Sequence, residues 1–184
     1  MKKLNLRSMV FLALCCDLGL FAKKIIGPFA NVITDFLHIP GGIGTSFSLM
    51  FLVVSVALVP KFGCGTVFGA VQSVLAFFFG MVGSMGALAP IGYITPGLAV
   101  DLLFLLTRRA GMHLCDKMVA GNALAAVCAS LTANLIVFRL RGVVLMLYLC
   151  VAASTGVLCG YLGYLIVKRV APVLRFNLEK EKIK

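Results

Sequence analysis

Charged residues and tryptophan are the first things missing from this chain. Asp, Glu, Lys and Arg make up 12% of its 184 residues, no tryptophan is present, and the mean hydropathy is +1.09. Soluble domains carry about 25% charged residues. The composition therefore excludes an ordinary soluble domain and indicates an integral membrane protein, with room for one helical bundle and no separate soluble domain.

Sequence patterns for catalysis and metal binding are also missing. There are two histidines, His38 and His113, and the seven cysteines form no C-x-x-C pair. The Gly-Gly-Ile-Gly-Thr stretch at 41–45 lacks the lysine of a phosphate-binding loop. No G-x-S-x-G or H-E-x-x-H motif occurs. We expect no enzyme activity, no metal and no cofactor, and we expect the cysteines to serve as buried small hydrophobic residues.

Long runs without charge predict an all-α fold, a single membrane domain over 1–184 that contains six transmembrane helices. The basic amino terminus has no small-x-small cleavage site after its apolar run, so we expect a retained first helix. An outer loop is predicted at 28–45 and a cytoplasmic tail at 168–184. Segment 25–37 is either the outer half of a long first helix or an amphipathic piece lying on the membrane surface. The helices are expected at about 8–27, 46–60, 62–79, 91–107, 118–138 and 142–167.

The positive charges predict the orientation. With six crossings, 13 of the 17 lysines and arginines fall on the side that holds both termini. Cytoplasmic loops are enriched in Lys and Arg, so both termini are expected in the cytoplasm. The cations flank apolar spans, so the net charge of +11 reports topology and predicts no nucleic-acid partner.

Small residues recur at helical spacing on three predicted helices. Gly65 pairs with Gly69 and Gly156 with Gly160, while a longer stripe runs through positions 121, 125, 129 and 133. Helices in lipid associate through such small-x-x-x-small faces. We expect tight helix packing along them.

Two carboxylates lie inside predicted spans, Asp17 and Asp101. A charge at the bilayer centre costs roughly 2.5–3.5 kcal/mol on insertion scales, so each is expected to face the bundle interior. For Asp101 a structural pair with Arg108 or Arg109 is favoured over ligand contact or proton coupling. For Asp17 a structural partner is at least as good an explanation as a substrate.

Polar and aromatic side chains concentrate at the outer ends of helices 3 to 6. Aromatic faces interleaved with a few amide and hydroxyl groups are typical of a small-molecule pocket. Each residue alone is explained as well by lipid contact or packing, and Arg139 and Arg141 equally well as headgroup anchors. The candidate binding residues are Gln72, Phe78, Tyr93, Thr95, Asn134, Phe138, Arg139 and Tyr148.

The order of these features resembles the substrate-binding (S) components of energy-coupling factor vitamin transporters. The resemblance covers nearly the whole chain. The stretches that carry it are the Gly/Pro-rich stretch 39–52, the inner turn 59–63, and 95–108 on the fourth helix. The last is similar to the G-L-x-x-[DE]-x-x-F-L-x-T-R pattern of pyrimidine and thiamine S components. Gly97, Leu98, Asp101, Phe104, Leu105, Thr107 and Arg108 stand at the matching positions.

The resemblance implies capture of a vitamin or vitamin precursor from outside a bacterial plasma membrane. The loop after helix 1 would close the pocket, which adds His38, Gly41, Gly42 and Thr45 to the binding residues. Thiamine or hydroxymethylpyrimidine is the first choice of ligand, and the residues would suit riboflavin or a corrinoid fragment too. Expected partners are a coupling transmembrane subunit, two cytoplasmic ATPase subunits and the lipid bilayer.

The family docks on its coupling subunit through an A-x-x-x-A face of helix 1. This chain has Cys15 and Gly19 at that spacing, with Ala13 and Ala22 nearby. An alternative function stays open, a stand-alone proton-coupled transporter or channel that uses Asp17 and Asp101. A membrane enzyme or an assembly protein is a third and weaker interpretation, because no catalytic cluster is present.

Overall fold

The computed structural model describes residues 6–36, 43–59, 61–136, 139 and 141–174. These residues form six α-helices and no strand. A short 3-10 helix, Gly83–Leu88, joins the third helix to the fourth. The helices are α1 (Leu6–Phe36), α2 (Ile43–Leu58), α3 (Cys64–Phe78), α4 (Ala89–Ala110), α5 (Leu114–Ile136) and α6 (Val143–Leu174).

Helix α2 is the centre of the bundle. It packs against all five other helices, and every residue from Leu52 to Val59 is buried. The other five form an arc around it in the order α1, α3, α4, α5, α6, each in contact with the next. Along the described residues the arc stays open between α6 and α1, where Phe47 and Phe51 of α2 are half-buried.

Three helices are long and apolar enough to cross a membrane. They correspond to Met85–Arg108, Leu114–Ile136 and Val143–Pro172, while α2 and α3 are shorter apolar helices. Many large apolar side chains point outward, among them Phe36 (82% exposed), Phe78 (84%) and Val143 (83%). Exposed apolar surface of this extent is typical of a protein that contacts lipid.

Glycine permits backbone-to-backbone contact between two pairs of helices. A Cβ at Gly69 of α3 would overlap the carbonyl oxygen of Tyr93 on α4. In α6, a Cβ at Gly156 would lie 2.7 Å from the Cα of Ala123, and one at Gly160 would lie 2.8 Å from the Cα of Val119. The predicted small-residue contacts of α3 and α6 are confirmed.

The ends of the helices differ from the predicted ones. Helix α1 continues through Pro28 to Phe36, and α2 begins at Ile43, so most of the predicted outer loop 28–45 is helical. Of the two interpretations of segment 25–37, the structure shows a long first helix. Pro28 is exposed on the helix surface and removes a single backbone hydrogen bond, which the remaining turns tolerate.

The last helix also exceeds its predicted end. Apolar residues resume after Lys168 and Arg169, and α6 runs to Leu174, so the first part of the predicted tail 168–184 is helical. Sequence reasoning ended the helix at the charge pair because charge marks the membrane boundary. The helix itself has no need to stop there, since long cationic side chains extend toward water.

Candidate functional site

Asp101 connects α4 to the beginning of α3. The side chain is 4% exposed, which confirms that it faces the bundle interior. One carboxylate oxygen, Oδ1, accepts a hydrogen bond from the backbone N–H of Gly65 at 2.9 Å. The other, Oδ2, accepts from the backbone N–H of Thr66 at 2.8 Å and from its hydroxyl at 2.7 Å.

These bonds give Asp101 a structural role at the amino terminus of α3. The first N–H groups of a helix have no partner within the helix, and the helix dipole favours negative charge there. A carboxylate from the neighbouring helix supplies both the acceptors and the charge. The sequence analysis favoured a structural partner but considered only Arg108 and Arg109, because a backbone partner on another helix leaves no mark in residue spacing.

Gln72 lies in a buried polar layer between α1, α2 and α3. The side chain is 2% exposed, and its amide nitrogen donates to the hydroxyl of Ser48 at 3.4 Å. That hydroxyl donates in turn to the carbonyl oxygen of Gly19 at 2.9 Å. The amide predicted to contact a ligand is therefore engaged within the bundle and ties three helices together.

Tyr93 contacts a lysine that is not among the binding residues proposed from the sequence. Lys23 Nζ of α1 lies 3.1 Å from the Tyr93 hydroxyl and 4.8 Å from the centre of its ring. The same hydroxyl lies 3.5 Å from the carbonyl oxygen of Met81, after α3. Both side chains are half-buried, so a cation and a phenol meet where α1, α3 and α4 converge.

Two further predicted residues lie near this end of the bundle. The hydroxyl of Thr95 on α4 is 3.1 Å from the hydroxyl of Thr132 on α5, and both are accessible in part. Asn134 is 4% exposed, and its amide nitrogen donates to the Ser130 hydroxyl at 3.1 Å. The candidate site consists of two polar pairs on the first turns of α4, Lys23 with Tyr93 and Thr95 with Thr132, which face different sides of the helix and which we call together the outer cluster.

The remaining predicted binding residues are dispersed or lie beyond the described part of the chain. Phe78 is 84% exposed and points away from the bundle. Arg139 is exposed, with a left-handed backbone at φ 49°. Thr45 and Tyr148 are half-buried, with no role assigned by the structure. His38, Gly41, Gly42 and Phe138 fall outside the described residues.

The residues expected to dock a partner are divided between two faces of α1. Cys15 and Gly19 are buried, and a Cβ at Gly19 would lie 3.0 Å from Gln72 Nε2, so this pair packs inside the bundle. Ala13 is exposed and Ala22 is half-buried. A partner that docks on α1 meets the Ala13 face, not the Cys15 and Gly19 face.

A second polar contact, which sequence reasoning missed, joins α2, α5 and α6. The amide nitrogen of Asn122, which is fully buried, donates to the carbonyl oxygens of Gly156 at 2.9 Å and Ser46 at 3.4 Å. The Ser46 and Thr155 hydroxyls lie 2.9 Å apart beside it. Within the described chain, Asn122 Oδ1 has no hydrogen-bond partner. An asparagine at mid-helix was the one signal in the sequence for this contact.

The fold of the described residues defines a class, the all-helical membrane proteins, since three of its helices are long and apolar enough to span a bilayer. Among the described residues no group of three or more His, Cys, Asp or Glu side chains is placed to hold a metal ion. Comparison with protein-family models, with curated proteins and with solved structures finds no match to this chain.

Proposed function

We propose that this chain is the substrate-capture subunit of an importer of the energy-coupling factor type. In this proposal six helices cross a bacterial plasma membrane with both termini in the cytoplasm. A vitamin or vitamin precursor binds from outside and passes inward through a coupling subunit driven by two ATPases. The support comes from the resemblance of the fourth helix to the S-component pattern and from the geometry around that helix.

The observation that carries the proposal is the difference between the two ends of α4. Its inner half is fixed by Asp101 to α3, while its first turns hold Tyr93 and Thr95 against Lys23 and Thr132. Asp101 and Tyr93 are eight residues apart, or about 12 Å along the helix. In this proposal the two polar pairs lie at the end of α4 from which the substrate arrives.

The stand-alone proton-coupled transporter is the less favoured proposal. A carboxylate that carries protons exchanges them with water, whereas Asp101 is buried and accepts three hydrogen bonds from α3. For a transporter of this kind, half-buried Asp17 is therefore the better candidate for the proton-carrying group. Uptake into liposomes by the purified chain, with no ATPase subunits present, would favour this alternative over the capture subunit.

The outer cluster predicts the effect of one hydroxyl group on ligand binding. In this proposal the Tyr93 hydroxyl forms a hydrogen bond with the captured vitamin. Tyr93→Phe removes that bond and retains the ring, so we expect affinity to fall roughly three- to tenfold, the value of one hydrogen bond. Titration calorimetry with each B vitamin and precursor measures it. Tyr161→Phe, an exposed tyrosine on α6, is the matched control.

Two results would contradict the proposal. One is the absence of any bound vitamin by mass spectrometry of the protein purified from its native host, together with no binding heat for any B vitamin. The other is failure of the chain to co-purify with an ATPase module when the membrane is solubilised gently. Equal loss of affinity in both tyrosine variants would remove the outer cluster from the binding site without affecting capture itself.

A further inference from the structure

A groove of about 380 Å³ lies between α2 and α6, at the opening of the helix arc. Its walls are Phe47 and Met50 of α2 and three residues of α6, Leu162, Leu165 and Ile166, which are each 37–46% exposed. One charged side chain, Arg169, completes the lining. The volume falls in the range of small-ligand sites, and the walls are apolar.

Charge at one end of this groove is positive. Arg169 is exposed, and Lys168 precedes it on the same turn of α6. Of the residues that the structure describes, no carboxylate lines the groove. An occupant that matches these walls is apolar along most of its length and anionic at one end.

A transmembrane helix of another protein fits this groove poorly. Helix contacts in membranes use small residues that let backbones approach, as Gly156 and Gly160 do against α5. The α6 residues that line the groove are all large, and Phe47 occupies the opposite wall. A flexible chain fills such a surface better than a rigid helix does.

We propose that this groove binds an anionic phospholipid, with an acyl chain between α2 and α6 and the phosphate group on Arg169. The chain would run along Leu162 to Arg169, a distance of about 10 Å on the helix. The positive-charge distribution predicts that this end of α6 faces the cytoplasm, where the leaflet is rich in anionic lipids that bind basic pockets between helices. The site is independent of the proposed vitamin capture.

Native mass spectrometry of protein taken from nanodiscs tests this site. The discs contain equal amounts of phosphatidylglycerol and phosphatidylcholine with the same acyl chains. We expect phosphatidylglycerol to be retained roughly fivefold more than phosphatidylcholine, the effect of about one arginine contact. Arg169→Gln abolishes this preference, whereas Lys168→Gln, which removes the same charge one residue away and outside the groove lining, retains it.

A second variant tests the apolar walls separately. Leu162→Trp fills the groove from a partly exposed position that the bundle core does not use, and it lowers retention of both lipids to the same degree. Equal retention of the two lipids by the unmodified protein would overturn the proposal. Equal loss of the phosphatidylglycerol preference in the Arg169→Gln and Lys168→Gln variants would overturn it too. So would a mass spectrum that shows a second protein chain bound and no lipid retained.

Discussion

At the scale of single residues, polar side chains inside the bundle serve mainly to join helices. Asp101 joins α4 to α3, Gln72 and Ser48 join α1, α2 and α3, and Asn122 joins α5 to α2 and α6. Each places hydrogen-bonding groups where water is excluded, and an unpaired group there is costly. The polar residues of the outer cluster are more accessible, which is why they are the better candidates for ligand contact.

Asp101→Asn tests the structural role of the carboxylate. The amide oxygen can replace one acceptor, but the charge at the start of α3 is lost, so we expect the free energy of unfolding to fall by about 1–2 kcal/mol. Thermal unfolding in detergent measures the loss. Asp116→Asn, at an exposed acid in the first turn of α5, is the control and should change stability less. Unchanged stability with lost transport would instead indicate proton coupling.

At the scale of helices, stability depends on the close contacts that glycine allows. The α3 and α4 backbones meet at Gly69 and Tyr93, and those of α5 and α6 meet at Gly156 and Ala123. A methyl group at either glycine must push two backbones apart. Gly27 of α1 has no such restriction, because nothing lies within 4 Å of the position where its Cβ would be.

Gly69→Ala and Gly27→Ala are a matched pair that separates these cases. The first places a methyl group on the Tyr93 carbonyl oxygen, and we expect a loss of roughly 1–3 kcal/mol in the free energy of unfolding. At Gly27, in α1, nothing lies within 4 Å of the new Cβ. Alanine is the better helix former, but Pro28 follows Gly27 and disfavours the helical backbone for a preceding residue with a Cβ, so stability should change by less than about 0.5 kcal/mol. Equal melting temperatures for the two variants would contradict the α3–α4 contact.

The sequence predicted the existence of each helix better than its ends. Charge-free runs locate all six helices, because helices in an apolar environment need uninterrupted apolar residues. Pro28 and Lys168 were treated as stops, yet both are exposed and the helix continues past each. The pairing of Tyr93 with Lys23 could not be predicted, since residues 70 positions apart meet only through the packing of α1 beside α3 and α4.

At the scale of the whole molecule, helix length and helix packing together determine which helices can cross the membrane. Three are long and apolar enough by themselves. Helices α2 and α3 have 16 and 15 residues, about 24 and 22 Å, which is less than a hydrocarbon core of about 30 Å. Four of the five helices packed around α2 are longer than it, so protein covers much of the surface that a lone short helix would expose to lipid. A shorter span is acceptable in that position.

Reporter fusions at the two termini test six crossings. An even number of crossings places both termini on one side, and the positive-charge distribution predicts the cytoplasm. A fluorescent protein that matures only in the cytoplasm should therefore fluoresce at either terminus, and alkaline phosphatase should be inactive at both. Active phosphatase at one terminus would show an odd number of crossings. Lys23→Gln removes one positive charge from the middle of α1. The same fusions in this variant show how much that charge contributes to the orientation.

The bond between Asp101 and the start of α3 also has a consequence for biogenesis. Alone, α4 would carry a bare carboxylate into lipid at a cost of roughly 2.5–3.5 kcal/mol, and α3 alone is short for a membrane span. When the two helices are packed as a pair, the Asp101 carboxylate accepts hydrogen bonds from the first N–H groups of α3. The glycines let the two helices lie side by side. If both helices cross the bilayer, we expect α3 and α4 to enter it most favourably as one hairpin, after both have been synthesised.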